Sequence, residues 1–445
     1  MSSRRVARAL LLLGTVVTVF GLSKFHAASI ADPAYDFTAS FRLPGAFTLV
    51  GLLVLTSYAI GLPDRPVTRT EAVLSSLGAA AVSALGVSAL QLIVGDLLLP
   101  RFVVFGSMIL TTLWFTLCAL MAGDLDERSK NLERVLVVGD LADVGAVVLD
   151  LMDRSERPAT LVGVHTLEHM RATSRTRPLV DFGERERVSV LVLDAAAQQD
   201  PSIVRQAATL HERGIRVRSL LDFYEEWIGK LPVSELERVS LLFDIAEVHG
   251  GSYAPMKRIL DLGTGLVMLV PLLLVTPLVW IANLFGNRGP LLFTQERVGK
   301  GGETFKILKF RTMRVHSTTA TEWTTHGDPR ITVVGGLLRR THLDELPQAI
   351  NILRGDLAVV GPRPEQTHYV EELTAKLPFY RLRHMVRPGL TGWAQVKYGY
   401  ASNHNDAMEK LQYEFYYLRH QGLAFDCRIL VRTLRSVFGG EGTGR

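Results

Sequence analysis

Two carboxylates stand side by side at Asp344-Glu345, inside the stretch Thr341-His-Leu-Asp-Glu-Leu-Pro-Gln-Ala-Ile-Asn-Ile-Leu-Arg-Gly-Asp-Leu-Ala-Val-Val-Gly-Pro-Arg-Pro364. Arginines frame them: Arg339 and Arg340 before, Arg354 after, and Arg363 in a Pro-Arg-Pro turn. A guanidinium is a planar fork that suits phosphate, and two adjacent carboxylates between arginines suit work with a divalent cation. The pattern points to phosphoryl chemistry. A plainer role competes with it. Leu346, Ala349, Ile350 and Leu353 follow a helical period, Gly355 suits a stop, and Pro347 is tolerated only in a first turn. The helix therefore begins close to Asp344, where Asp344 would be an N-cap and Glu345 a first-turn acid. The unpaired N–H groups of a helix start also favour substrate phosphate.

Further basic residues flank the pair. Lys309 and Arg311 lie in Phe305-Lys-Ile-Leu-Lys-Phe-Arg-Thr-Met313, where alternating cations suit either phosphate contact or a solvated face. Arg387-Pro-Gly-Leu-Thr-Gly-Trp-Ala-Gln-Val396 is a loop with a cation, two glycines and an indole, suited to a nucleotide base and its phosphate. Leu423 to Phe438 mixes apolar residues with Arg428, Arg432 and Arg435. It reads as an amphipathic helix, either on a membrane interface or packed on the domain.

The elements that carry these residues begin in a membrane. Of 445 residues, 48% are hydrophobic and 21% charged, which suggests spans joined to polar domains. Apolar runs at Ala9 to Leu22 and at about 45–62, 71–94 and 97–122 are each near the ~20 residues needed to cross a bilayer. The first, followed by Ala27-Ala28-Ser29, resembles a signal peptide, but the recurrence of similar runs favours four transmembrane helices over residues 1–123. Arg4, Arg5, Arg8, Arg65, Arg69, Arg128, Lys130 and Arg134 outnumber Lys24, Arg42 and Arg101 in the alternate loops, so both ends face the cytoplasm. The net charge of +5 fits an anionic membrane face or substrate and is too small to argue for nucleic acid. Cys118 and Cys427 are far apart in sequence, which excludes a disulfide framework and fits a reducing compartment.

From Arg134 the pattern changes to short strands alternating with helices. Val135 to Gly139, Val188 to Leu193 and Ile215 to Leu220 read as strands, Asp140 to near Arg154 and Pro201 to Arg213 as helices. This predicts a central Rossmann-like α/β domain over about 131–248. Gly139 and Gly145 lack the close glycine set of a dinucleotide site, so the domain reads as degenerate. Tyr253-Ala-Pro-Met-Lys257 matches a Tyr-x-x-x-Lys oxidoreductase pair, but Pro255 opposes the shared helix face. Ile259 to Phe285 is long enough to span. Cations at both ends (Lys257 and Arg258; Arg288, Arg297 and Lys300) and the internal Pro271 and Pro277 instead predict a re-entrant membrane helix over 255–286, bent near one of the prolines. Asp261, four residues from Lys257, suits an i,i+4 ion pair.

Taken together, Lys257-Arg-Ile-Leu-Asp261, Gly289-Pro-Leu-Leu-Phe-Thr-Gln-Glu-Arg-Val-Gly299, Lys309-Phe-Arg-Thr-Met313, Asp344-Glu-Leu-Pro-Gln348, Gly361-Pro-Arg-Pro364 and Arg387-Pro-Gly-Leu-Thr-Gly-Trp-Ala-Gln395 resemble, in this order, the polyprenyl glycosylphosphotransferases (large bacterial sugar transferases). The resemblance implies a monotopic α/β catalytic domain over 287–445. It implies Asp344 as nucleophile, Glu345 as ligand of Mg²⁺, and Arg339 and Arg363 on phosphates. Lys309, Arg311 and Arg387 join them as candidate phosphate contacts; Lys257, Arg258, Asp261, Pro271 and Pro277 form the re-entrant motif. The implied reaction moves hexose 1-phosphate from a UDP-sugar, commonly UDP-glucose or UDP-galactose, to undecaprenyl phosphate and releases UMP, at the cytoplasmic face of a bacterial inner membrane. It would begin exopolysaccharide or O-antigen assembly, with a homodimer as a possible state. This sequence departs from the family in having Leu274 where the bend proline falls and Gln395-Val-Lys-Tyr in the last motif. Two other readings stand beside it: a nucleotide-sugar oxidoreductase using the central domain, and a non-catalytic membrane scaffold of a polysaccharide assembly complex.

Overall fold

The structure is a computed structural model that describes residues 3–63, 66, 68–94, 98–122, 132–139, 151, 156–157, 159–173, 176–232, 253–286, 289–314, 330–377, 379–398 and 404–439. The chain divides into two compact units. One comprises Met1–Glu127, Val248–Leu411 and His420–Arg445; the other comprises Arg128–Glu247 and Gln412–Arg419.

The first unit opens with α1 (Ser3–Phe25), α2 (Leu43–Ile60), α3 (Arg69–Val94) and α4 (Arg101–Met121). They share a core built from Leu11, Val19, Leu49, Leu53, Ala79, Val87, Val103 and Phe115. Between apolar helices, small and hydroxylated residues do much of the joining. Thr56 on α2 meets Ser83 on α3 at 2.8 Å, and Trp114 on α4 donates its indole N–H to the Leu10 carbonyl at 2.9 Å. Leu13, Val17, Phe47, Leu85, Ile109 and Leu113 point outward and are exposed. Among the described residues, five helices are long and apolar enough to cross a membrane: these four and α7 (Tyr253–Gly286).

The second unit holds a parallel sheet of β1 (Glu133–Val138), β2 (Ala159–His165), β3 (Val190–Leu193) and β4 (Arg216–Ser219), in the order β2-β1-β3-β4. Three of these strands are legible in the sequence. β2, mostly half-buried and beginning after a proline, is not anticipated there, and the helix expected from Asp140 lies outside the described residues. Strand alternation sends Val135, Val137, Val190 and Val192 to a core with Phe223 and Trp227. It sends Leu136, Val138, Leu191 and Leu193 to the other face, against α5 (Pro178–Arg185) and α6 (Pro201–Glu212) through Leu179, Ile203 and Leu210. The order reverses direction between β1 and β3, the place where such sheets open a ligand crevice. There the Asp194 side chain accepts from the Ala197 amide at 2.7 Å and stands where a side chain on Gly139 would be. Residues 412–419 complete this unit, through the Leu231 amide on the Gln412 carbonyl at 3.0 Å and Arg419 on Glu225 at 3.1 Å.

The remainder of the first unit is built on α7. An antiparallel hairpin, β5 (Leu292–Val298) with β6 (Thr304–Phe310), is followed by α8 (Val333–Arg340), a 3₁₀ turn at Leu343–Glu345 and α9 (Gln348–Arg354). Then come β7 (Ala358–Val360), α10 (Thr367–Lys376) and β8 (Gly389–Thr391), with β7 and β8 parallel. α11 (His404–Arg419) and α12 (Leu423–Gly439) close the chain. α7 stays helical through both Pro271 and Pro277. Its inner face, Leu272 and Val279, packs with Phe310, Leu338, Leu343, Leu346 and Ile350, so the helix lies along the domain rather than projecting from it. α12 is packed as well: Asp426 is fully buried and Ile429 is core, so the domain-packed alternative describes this helix.

The start of α7 corrects two expectations. α7 begins at Tyr253, so Pro255 sits in its first turn, where proline is tolerated, and Tyr253 and Lys257 do share a face. Both are spent on the buried Asp426, whose Oδ2 accepts the Tyr253 hydroxyl at 2.9 Å and pairs with Lys257 at 2.8 Å. Asp261 therefore does not pair with Lys257; it is 1% exposed and accepts the Val359 amide of β7 at 2.9 Å.

Candidate active site

The acidic pair sits on the 3₁₀ turn between α8 and α9, entered through His342 in the left-handed region (φ 55°). The helix start inferred from Pro347 is correct to within a few residues, and α9 ends as expected at Gly355, whose φ of 98° suits glycine. The capping reading fails on geometry. The residues before the 3₁₀ turn and α9 are His342 and Pro347, and neither makes a side-chain cap bond. Asp344, 9% exposed, accepts no hydrogen bond from any described residue.

Glu345 is held firmly. Its Oε1 accepts from Lys309 Nζ at 2.7 Å and from an Arg363 guanidinium nitrogen at 3.1 Å. Burial would raise this carboxyl, but the two cations outweigh it and hold Glu345 well below the usual carboxylate range. Asp344 goes the other way. Burial and the neighbouring Glu345 charge push it up, opposed by Lys309, Arg339 and His342.

Each partner is positioned from behind. Lys309 lies on β6, opposite Phe293 of β5. Asn351, fully buried on α9, clips that strand: its Oδ1 accepts the Leu308 amide at 3.0 Å and its Nδ2 donates to the Lys306 carbonyl at 2.8 Å. Arg258 of α7 donates to the Ile352 and Leu353 carbonyls, both at 2.7 Å, and so satisfies the open end of α9. The Pro-Arg-Pro turn is held by two more arginines, Arg383 on the Arg363 carbonyl at 2.9 Å and Arg297 on the Pro364 carbonyl at 3.1 Å. Gly361 and Gly389 let this turn and the Arg387 loop approach closely; a side chain on either would meet the other's backbone.

The structure thus brings Asp344, Glu345, Lys309, Arg363 and Arg339 together. Arg339 acts on Asp344 through its charge and donates to the Thr312 hydroxyl at 3.0 Å. It places other residues elsewhere. Arg311 is 6% exposed and donates to the Pro290 carbonyl at 2.8 Å, a structural tie under the hairpin. Arg387 is exposed, its backbone beside Gly361. Trp393 is 2% exposed, edge-on to Phe425 with Arg432 and Lys397 near its faces, so its indole offers no stacking surface for a base. Asn351, Arg383 and Arg297 were not singled out by sequence reasoning. The available signal was an asparagine on the apolar side of α9, between Ile350 and Ile352.

A carboxylate pair split in acidity and ringed by fixed cations is a phosphoryl-transfer arrangement. The family model for bacterial sugar transferases matches residues 252–440, which contain every one of these groups. The chain is 40% identical over 194 residues (43% of its length) to a UDP-N-acetylgalactosamine-undecaprenyl-phosphate N-acetylgalactosaminephosphotransferase of Aeromonas hydrophila, of which this covers 45%. It is 33% identical over 262 residues (58% of its length) to a UDP-glucose:undecaprenyl-phosphate glucose-1-phosphate transferase of Xanthomonas campestris pv. campestris, of which this covers 51%. It is 37% identical over 196 residues (41% of its length) to exopolysaccharide production protein PSS of Rhizobium leguminosarum bv. phaseoli, of which this covers 94%. The chain belongs to the bacterial sugar transferase family. It spans about half the length of the first two of these relatives.

Proposed function

We propose that the protein transfers a hexose 1-phosphate from a UDP-sugar to undecaprenyl phosphate at the cytoplasmic face of a bacterial inner membrane. The observation that carries this reading is the buried Asp344, which accepts no hydrogen bond from any described residue, beside a Glu345 fixed by Lys309 and Arg363. An Asp344 carboxylate oxygen attacks the β-phosphorus of the donor; the bond from that phosphorus to the bridging oxygen breaks, and UMP leaves. A phosphate oxygen of the lipid then attacks the phosphosugar–aspartyl phosphorus, and the Asp344 carboxylate is released. Splitting the transfer in two spares a direct encounter of two anionic substrates. Lys309, Arg339 and Arg363 orient the donor phosphates and offset their charge; the exposed Arg387 is a further candidate contact.

The donor set fits Mg²⁺: two adjacent hard carboxylates, with Glu345 engaged by described residues only at Oε1 and Asp344 at neither oxygen. Glu345, with Asp344 beside it, would hold the ion, which when bound offsets charge on the diphosphate.

Membrane placement rests on exposed apolar side chains. Leu273, Leu274, Leu278 and Trp280 on the outer face of α7 are exposed, as are Val333 and Leu337 of α8. α7 touches the domain near its start, through Arg258, and again at Leu272 and Val279. That favours a re-entrant helix over a crossing one. Tyr58, at the end of α2 that leads to the basic Arg65–Arg69 loop, lies against Arg428 of α12, which supports the cytoplasmic side. Against the oxidoreductase alternative, Tyr253 and Lys257 are committed to Asp426, and Asp194 crowds Gly139 at the end of β1.

The test is UMP release by the purified full-length chain from a panel of UDP-sugars, headed by UDP-glucose and UDP-galactose, with UDP-N-acetylgalactosamine added for the Aeromonas relative. Asp344→Asn should abolish UMP release and covalent phosphosugar labelling even without lipid. Wild-type UMP formation by that variant would sink the nucleophile assignment; no release from any donor would favour the scaffold.

A further inference from the structure

α12 stands between the membrane helices and the active-site loops. On one side it packs along α2, with the Arg428 guanidinium 5.8 Å from the Tyr58 ring centroid. On the other it grips the Arg387–Val396 stretch: Thr433 shares a 2.7 Å hydrogen bond with Thr391, Arg432 lies 4.8 Å from the Trp393 ring and Phe425 meets that ring edge-on at 5.0 Å. Thr391 in turn accepts the Gly361 amide at 2.9 Å, and Gly389 donates to the Pro362 carbonyl at 2.8 Å. Gly361 and Pro362 lead into Arg363, which holds Glu345. An unbroken path of packed groups therefore runs from Tyr58 to the catalytic pair.

We infer that α2 is a brace: through Arg428 it fixes α12, and through α12 it positions the 387–396 loop and Arg363. Tyr58 and Arg428 are positioning residues, remote from the reacting atoms. The Rhizobium relative is matched over 94% of its length by 196 residues of this chain. The inference extends the transferase reading by giving α2 a part in that same site.

Hydrogen exchange on the full-length chain in lipid nanodiscs tests it without any donor. Tyr58→Ala and Arg428→Ala should each speed exchange of the Gly361 and Gly389 amides by about two- to fivefold, the scale of one cation–π contact, and leave the β5–β6 hairpin and the β1–β3 strands unchanged. Tyr58→Phe, which keeps the ring, should exchange like the wild type, and the double alanine variant should match either single one. Unchanged protection of both glycines in Tyr58→Ala, or uniform loosening that includes β1 and β3, overturns the brace. In parallel, kcat for UMP release should fall by a similar factor in both alanine variants and recover in Tyr58→Phe. A wild type that releases no UMP counts against the transferase reading, while the exchange result still decides whether α2 braces the loop.

Discussion

Asp344 and Glu345 are neighbours in sequence whose carboxyl groups are driven in opposite directions. Burial and the Glu345 charge raise Asp344; Lys309 and Arg363, prevailing over burial, depress Glu345. Glu345 thus keeps its charge across the working range and stabilises its surroundings electrostatically. Asp344 is the more basic of the two, which suits an attacking oxygen.

The split sets a pH dependence. A nucleophilic Asp344 must be ionised, so kcat should fall on the acid side as pH drops through its folded pKa. Because that pKa is raised, the limb should lie above the ordinary aspartate value of about 3.9. Arg339 is one of the charges pulling Asp344 down. Arg339→Ala should therefore move the limb to still higher pH, and Arg339→Lys should largely restore it. A limb that moves down in Arg339→Ala would contradict the assignment. The measurement is log kcat for UMP release against pH.

Glu345→Gln removes a like charge from beside Asp344 and a hard ligand from the pair. Its two effects are separable. The acid limb should move to lower pH, because the neighbouring negative charge is gone. The rate at its plateau should drop by at least about 100-fold, roughly 2.7 kcal/mol of transition-state stabilisation, with Mg²⁺ no longer stimulating. Chelation of Mg²⁺ from the wild type should mimic the plateau loss but leave the limb's direction of shift undone. A Glu345→Gln enzyme still fully dependent on Mg²⁺ would move the metal off this residue.

Arg258 supports the pair from α7. It satisfies two carbonyls at the end of α9, and α9 starts just beyond Glu345. Arg258→Ala leaves both acceptors short of a partner, at about 1–3 kcal/mol each where water cannot replace it. The expected result is a lower melting temperature and a lower kcat together. Arg258→Lys should recover only part of either, since an ammonium on a flexible stem does not reproduce a two-pronged contact. Thermal unfolding and UMP release on the same preparations decide it; a full rescue by lysine would mean that charge alone matters.

What the sequence made legible follows local physics. Apolar runs marked α1 to α4 and α7, short strand-like runs alternating with helical segments marked three of the four parallel strands, and Pro347 with Gly355 bracketed α9. The cations around Asp344 were legible as residue types, but their division was not. Lys309 and Arg311 are two positions apart on one strand and its end, yet one reaches Glu345 and the other turns under the hairpin to Pro290. Which does which depends on what packs behind them. Likewise Lys257 pairs with Asp426, 169 residues away, and not with Asp261 four residues away; both carboxylates are buried, and Asp261 is held instead by the Val359 amide of β7. Long-range choices of this kind have no local signature.

Asn351 is the sharpest instance, and it yields a last test. It lies on the buried side of α9 and spends one amide on two backbone groups of β6, the Leu308 N–H and the Lys306 carbonyl, with a weaker contact from Nδ2 to Asp356 at 3.3 Å. That clip fixes the register between the helix behind Glu345 and the strand that carries Lys309. In Asn351→Asp the oxygen that accepts from Leu308 is kept, but the donor to Lys306 becomes an acceptor facing a carbonyl. A buried, unpaired charge there costs more than the lost hydrogen bond, so the variant should be markedly destabilised at neutral pH and partly recover as the new carboxyl is protonated. Asn351→Leu removes both contacts without adding charge; it should fold better than the aspartate variant yet lose activity, because β6 is free to slide and Lys309 with it. Melting temperature against pH separates the two variants, and UMP release reads the effect on Lys309. Wild-type activity in Asn351→Leu would show that the hairpin holds Lys309 in place unaided.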